Sequence, residues 1–195
     1  MEEIQAAKAE ARETVAKARE ALSEAEITGK TKTIENRLFE FANFLESNIV
    51  MMYMAGPSHV ASRDMVKKCY EFNKIVVLPA FDANHFKMTL MKVDNLDTDL
   101  VTGPRGILEP NPRRCKVVPI DCIDIAIIPG VALDEKGGRV GSGQGYYDRF
   151  IPKLPITTRK VALALEAQII PQAPMESHDK HVDIIITENR VIYKI

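Results

Sequence analysis

The chain has 195 residues, 26 Lys and Arg against 27 Asp and Glu, and 46% hydrophobic residues. That length fits one domain, two at most, the composition excludes a disordered chain, and a formal charge of −1 excludes a global basic field for a nucleic-acid backbone. No apolar run approaches the roughly 18 residues of a membrane span, residues 1–26 lack the apolar centre of a signal peptide, and Cys69, Cys115 and Cys122 are too few and too scattered for a disulfide framework or a zinc site. The expectation is a cytoplasmic protein with free thiols and neither a nucleic-acid nor a membrane partner. Nothing in the sequence specifies an oligomeric state.

The N-terminal segment reads as a helix. Ile4, Ala7, Ala11, Val15, Ala18, Leu22 and Ala25 recur at spacings of three and four and make one shallow apolar stripe. Thr28-Gly29-Lys30 is expected to end it, and Thr31 or Thr33 to cap a second helix that buries Ile34, Leu38, Phe41 and Leu45. The period then changes. Ile49 to Met54 is a continuous apolar run, as in a strand covered on both faces. Ser62 is placed to cap a helix burying Met65, Val66, Cys69 and Phe72, and Ile75 to Leu78 is the next buried strand, closed by Pro79. Strand, helix and strand of these lengths predict a βαβ unit and a parallel sheet.

Phe86, Met88 and Leu90 alternate with polar residues, as in a strand with one wet face. Residues 94–119 hold four prolines and little periodicity, and read as a long, functional loop. Ile123 to Ile128, Val161 to Leu165 and Val182 to Thr187 are further strands, and Val191 to Ile195 returns by a hairpin through Glu188-Asn189. The prediction is a single α/β domain over 1–195: a mostly parallel twisted sheet flanked by helices, with the N-terminal helices of 1–48 packed on the core.

The densest chemical signal runs from Pro129 to Asp148, where five glycines fall within residues 137–145. Successive backbone N–H groups without Cβ atoms can converge on an anion, at the carboxyl end of a strand where open α/β sheets bind ligands, with a helix N-terminus following. Arg139 offers a bidentate phosphate contact and Asp148 a ligand for a divalent cation beside the phosphates. The plain alternative is a surface turn. Two nucleotide motifs are excluded. Gly141-x-Gly143-x-Gly145 has the wrong last spacing for a dinucleotide fingerprint, and Gly29-Lys30-Thr31 lacks the first glycine and the preceding strand of a P-loop. Gly-Ser-Gly-Gln-Gly is no nucleophile elbow, and His178 and His181 lack partners at zinc spacing. Lys8 and Arg12, at i and i+4, are either a solvated face or two cations aimed at one polyphosphate. Asp179 either joins Asp148 at a metal or caps a turn. Glu166 and Gln168, at the end of a strand, are well placed for polar site residues.

The stretch PGVALDEKGGRVGSGQGYYD resembles the glycine-tyrosine motif of the 5-formyltetrahydrofolate cyclo-ligase (5,10-methenyltetrahydrofolate synthetase) family. Lys8-x-x-x-Arg12, Gly103-x-x-Gly106-Ile107-x-Glu109-Pro110, Ala162-Leu163-Ala164 with Gln168, Gln172-x-Pro174 and Asp179-x-x-Val182-Asp183 resemble other segments of that family. The resemblance implies ATP contacts at Lys8, Arg12, Arg139, Gly141, Ser142, Gly143, Gln144, Gly145, Tyr146 and Tyr147. It implies Mg²⁺ at Asp148 and Asp179, and folate contacts at Met54, His59 and Ser142 to Tyr146. The implied reaction uses ATP to phosphorylate the formyl oxygen of 5-formyltetrahydrofolate; N10 closes the ring and phosphate leaves, giving 5,10-methenyltetrahydrofolate and ADP. One position departs. The family carries E-[IV]-x-T where this chain has His59-Val60-Ala61-Ser62, and imidazole does not replace a carboxylate that only accepts hydrogen bonds. The departure predicts weak use of 5-formyltetrahydrofolate, improved by His59→Glu, unless Asp64 or Glu109 supplies the carboxylate. The alternatives are a diverged relative with the same ATP chemistry on a non-folate substrate, and a non-catalytic nucleotide-binding module.

Overall fold

The structure, a computed structural model, describes residues 2–194. Two helices open the chain: α1 (Glu2–Glu20) and α2 (Glu24–Glu40). Their boundary differs from the expected one. Ser23 caps α2, its hydroxyl accepting from Glu26 N–H while the Glu26 carboxylate accepts from Ser23 N–H, so Thr28-Gly29-Lys30 lies inside the helix and neither Thr31 nor Thr33 is a cap. The Ser-x-x-Glu box satisfies two orphan donors, which outweighs one exposed glycine at about 1 kcal/mol. Phe41 then adopts an extended conformation and a short α3 (Ala42–Glu46) begins. That break shifts the helical phase, so Phe44 is buried in place of Leu45, which is 46% exposed.

The sheet has eight strands: β1 (Ile49–Met51), β2 (Ile75–Asp82), β3 (Lys87–Lys92), β6 (Lys116–Val117), β7 (Ile125–Ile128), β10 (Arg159–Leu163), β11 (Ile184–Ile186) and β12 (Val191–Tyr193). Between them lie two small antiparallel ribbons, β4 (Leu100–Thr102) with β5 (Leu108–Pro110), and β8 (Ala132–Leu133) with β9 (Arg139–Val140). The order is β12-β11-β10-β7-β1-β2-β3-β6. Neighbours from β11 to β2 pair in parallel, and β12, β3 and β6 are antiparallel additions at the two edges. The mostly parallel sheet is therefore as expected, and the C-terminal hairpin forms through Thr187 N–H to Arg190 O; Ile195 lies outside the described residues.

Pro79 does not close β2, which runs on to Asp82. The β2 residues that face β1 are Val77, Pro79 and Phe81, and β1 ends opposite Val77. The N–H that proline lacks is thus one that has no partner strand. Phe86 belongs to the following turn, at φ 50° and 46% exposed, and not to β3. The expected loop of 94–119 is partly ordered as the β4–β5 ribbon and β6.

Alternating side chains cover both faces. Val50, Val76, Leu78, Ile125, Ile127, Val161 and Ile184 pack under α2, α3 and α4 (Arg63–Glu71), which bury Leu38, Phe44, Met65 and Cys69. Phe72, expected in that set, caps α4 at 44% exposure and lies edge-on to Phe39. Met51, Val77, Ala126, Ile128, Ala162 and Ile185 pack on the other face against Tyr146, Tyr147 and Phe150 of α5 (Tyr146–Phe150). Each fully buried aliphatic side chain contributes about 1.5–3 kcal/mol. Connections leave β1 toward β2 on one side and β7 lies on the other, so a topological switch falls between β1 and β7 at their carboxyl ends. Among the described residues, no helix is long and apolar enough to cross a membrane.

Candidate active site

The chain leaving β7 turns through Pro129-Gly130-Val131, makes the β8–β9 ribbon, and delivers the glycine loop to that switch point. Buried Gln168 braces the turn, donating to Gly130 O (3.1 Å) and Val131 O (3.0 Å) while accepting from Leu165 N–H. Glu166 holds Thr187 and Arg190. Both residues, expected near a ligand by their position, instead tie loops together. Asp134 does the same, accepting from Lys136, Gly138 and Ala173 N–H groups. Gly143 (φ 106°) and Gly145 (φ 69°) occupy backbone conformations that a side chain strains. The helix they lead into has only five residues, so its dipole adds little to anion binding.

One open cleft with a cavity volume of about 110 Å³ is lined by Lys8, Arg12, Arg139, the whole of Gly141 to Tyr147, Asp148 and Asp179. The structure brings together every residue implied for ATP and metal, from three segments far apart in sequence. Arg12 reaches the loop, donating from Nε to Gly141 O at 2.8 Å. Arg139, 3% exposed, donates to Pro129 O (3.1 Å) and pairs with Asp148 Oδ1 (2.9 Å), and its Nε has no partner among the described residues. Lys8 is 7% exposed and is no solvated residue: Nζ lies 2.8 Å from Glu176 Oε2 and 2.5 Å from Asp179 Oδ2. Burial alone would lower the Lys8 ammonium, but Asp179 and Glu176 outweigh it and raise it above its ordinary value. Burial alone would raise the Asp179 carboxyl; Glu176 N–H and Lys8 overcome that and hold it below the carboxylate range.

The cleft also contains Gln5, Arg105 and Glu176, which sequence reasoning passed over, and His178, which it weighed only as a zinc ligand and set aside. Glu176 and His178 precede Asp179 within four positions, and this Glu-x-His-Asp spacing was the available signal. Ligand atoms of Glu176, His178 and Asp179 lie within 4.8 Å of one another. Oxygen donors of this kind suit a hard cation that keeps water and phosphate oxygens in its shell. Asp179 belongs to that group and Asp148 does not: Asp148 Oδ1 accepts from Arg139 and Lys180 N–H, Asp179 Oδ2 accepts from Lys8 and Glu176 N–H, and Asp179 Oδ1 lies 3.4 Å from His178 Nε2.

Met54 and His59 lie apart from the glycine loop, in a narrower adjoining pocket with Leu78, Pro79, Phe81, Ile107, Leu108 and Pro129. Arg105 and Tyr147 border both spaces. His59 is 9% exposed; its Nδ1 accepts from Gly56 N–H at 3.2 Å, and Arg19 clamps its carbonyl at 3.1 Å. Burial first, and then the charges of Arg105, Arg139 and Arg19, push the imidazole down to about 4. The two carboxylates proposed as substitutes differ. Asp64 points into solvent with its side chain 87% exposed beside Lys67. Glu109 is 4% exposed, with Oε1 accepting from Phe81 N–H (2.5 Å) and Oε2 unpartnered; burial raises its carboxyl against the pull of that bond and of Arg105.

These features define an α/β protein of the open parallel-sheet class, with an anion cradle and an apolar pocket side by side at the sheet's switch point. The chain belongs to the 5-formyltetrahydrofolate cyclo-ligase family, whose model matches residues 4–188. It is 31% identical over 183 residues to the probable 5-formyltetrahydrofolate cyclo-ligase of Schizosaccharomyces pombe, covering 87% of this chain and 89% of that one. Similarity to the Escherichia coli 5-formyltetrahydrofolate cyclo-ligase is 24% over 156 residues, covering 80% and 86% of the two chains. The solved structure of Aquifex aeolicus 5,10-methenyltetrahydrofolate synthetase superposes with a TM-score of 0.83 at 28% identity, over 96% of this chain and 92% of that one. A Mycoplasma pneumoniae 5,10-methenyltetrahydrofolate synthetase, at 18% identity and a TM-score of 0.73 over 93% and 98%, shares the fold.

Proposed function

We propose that the chain is an ATP-dependent cyclo-ligase that converts 5-formyltetrahydrofolate to 5,10-methenyltetrahydrofolate, ADP and phosphate. The observation that carries this reading is the convergence of Lys8, Arg12, Arg139 and the glycine loop on one cleft that opens beside the pocket of Met54 and His59. A formamide oxygen is a poor leaving group and becomes a good one once phosphorylated. The protein's task is then to align the acceptor with the γ-phosphate and to neutralise charge. The loop N–H groups and Arg12 bind the polyphosphate, Arg139 holds Asp148 in place, and Lys8 fixes Asp179. Asp148 and Asp179 would hold Mg²⁺, which when bound neutralises phosphate charge. Tyr146, Tyr147, Met54 and His59 enclose the ring system and exclude water from the acceptor oxygen. The deciding measurement is the absorbance of methenyl-folate formed from 5-formyltetrahydrofolate and MgATP. Product formation dependent on both substrates is expected; ATP binding without product overturns the reading. A second reading, the same ATP chemistry on a non-folate formamide or carboxylate, is favoured by His59 alone, whose imidazole presents a donor to the pocket.

A further inference from the structure

Arg105 sits in the turn between β4 and β5. Gly103 N–H donates to Ile107 O (2.8 Å) and Gly106 N–H to Gly103 O (3.0 Å), with Gly106 at φ 71°, so the turn is tightly closed. The guanidinium lies 4.4 Å from the centroid of the Phe81 ring and 5.2 Å from that of Tyr146. Such stacking fixes the plane of the group and leaves its edge N–H donors free. Those donors are unspent. Of the other cleft cations, Lys8 is paired with Glu176 and Asp179, Arg139 with Asp148, and Arg12 donates its Nε to Gly141 O, whereas Arg105 has no ion pair and no side-chain hydrogen bond among the described residues. Glu109, which feels the Arg105 charge, gives its bonded oxygen to Phe81 N–H instead.

Position adds the second half of the argument. Among the described residues, Arg105 is the cation common to the glycine-loop cleft and the pocket of Met54 and His59. A phosphoryl group that leaves a nucleotide in the first space for an acceptor in the second passes this junction. In flight it carries charge over three equatorial oxygens, and a planar fork of N–H donors matches that charge better than a point cation does.

We propose that Arg105 is a catalytic residue that binds the phosphoryl group during its transfer, an assignment that rests on the cyclo-ligase reading. The bond between the γ-phosphorus and the bridging oxygen breaks, its electron pair leaving on ADP, while the formyl oxygen forms the new P–O bond. N10 then closes on the formyl carbon, the C–O pair departs with phosphate, and the N10 proton goes to solvent. Arg105 exchanges no proton in either step; it holds the charge.

The test uses the full chain with MgATP and 5-formyltetrahydrofolate, comparing wild type with Arg105→Met, Arg105→Lys and Arg105→Ala. Loss of one preorganised donor group lowers kcat by roughly 10²- to 10³-fold. That loss is expected in Arg105→Met with KM for ATP and affinity for a non-hydrolysable ATP analogue nearly unchanged. Arg105→Lys is expected to fall between, and added guanidinium to restore turnover in Arg105→Ala while leaving wild type unaffected. If Arg105→Met fails to fold, the lysine variant and the guanidinium rescue carry the test. An unchanged kcat overturns the assignment, as does a loss confined to KM for the folate, which would make Arg105 an anchor for a substrate carboxylate. Wild type that forms no methenyl product removes the cyclo-ligase reading and Arg105 with it; active wild type with an equally active Arg105→Met removes Arg105 alone.

Discussion

Because the His59 ring accepts the Gly56 N–H bond at Nδ1, its neutral form carries the proton on Nε2, a tautomer assigned from that bond. An Nε2–H donor therefore stands where the family motif has a carboxylate that only accepts. The same residue makes the fold sensitive to acid. Its imidazole is pushed from 6.5 down to about 4 in the folded chain, so between those values the unfolded chain takes up a proton that the folded chain refuses. The sign follows: stability falls as pH drops from 6.5 toward 4 and the His59 contribution levels off below. The full span amounts to roughly 3 kcal/mol at 1.36 kcal/mol per unit. Urea unfolding of wild type and His59→Gln across pH 4–7 is expected to show a shallower slope in the variant. Parallel slopes would assign the acid sensitivity to other groups.

Helix α2 shows how one local signal outranks another. Thr31 and Thr33 are as good cap residues as Ser23 by type, and Gly29 looks like a helix stop. What separates them is the reciprocal partner: Glu26 stands three residues after Ser23 and closes the box. Thr33 instead points its hydroxyl back to Gly29 O inside the helix. Ser23→Ala is expected to cost about 1 kcal/mol of stability, and Thr31→Ala and Thr33→Ala little or nothing, by denaturant midpoint. Equal losses at all three positions would contradict the observed boundary. Strands were legible wherever they are buried on both faces, because Ile49 to Met51, Ile125 to Ile128 and Ile184 to Ile186 carry no polar interruption. The β4–β5 ribbon was not. Four of its six residues are at least partly exposed and its turn is set by Gly103 and Gly106, which no hydrophobic period announces.

On the scale of the molecule, the glycine loop was readable from residue type alone, whereas the meaning of Lys8 and Arg12 depended on where α1 docks. Their i, i+4 spacing fits a solvated face equally well, and Glu176, which decides the matter, lies 168 positions from Lys8. Lys8 staples the first helix to residues 176–179, and that staple closes one wall of the cleft. Lys8→Met keeps most of the side-chain volume and removes the cation, leaving Glu176 and Asp179 facing each other in a site where their side chains are 15% and 4% exposed. Removing one partner of a buried pair costs roughly 3–5 kcal/mol because the remaining charge is uncompensated. In wild type the depressed Asp179 carboxyl contributes stability above its ordinary pKa of 3.8, and that contribution is lost as pH falls through the folded value. In Lys8→Met the Asp179 carboxyl loses the cation that helps hold it below its ordinary value. The stability difference between the proteins is therefore expected to be largest at pH 7 and to shrink toward pH 4, read from urea midpoints at each pH. A pH-independent difference would mean that Lys8 contributes packing alone. Wild-type stability in Lys8→Met at pH 7 would mean that the staple is not formed in solution.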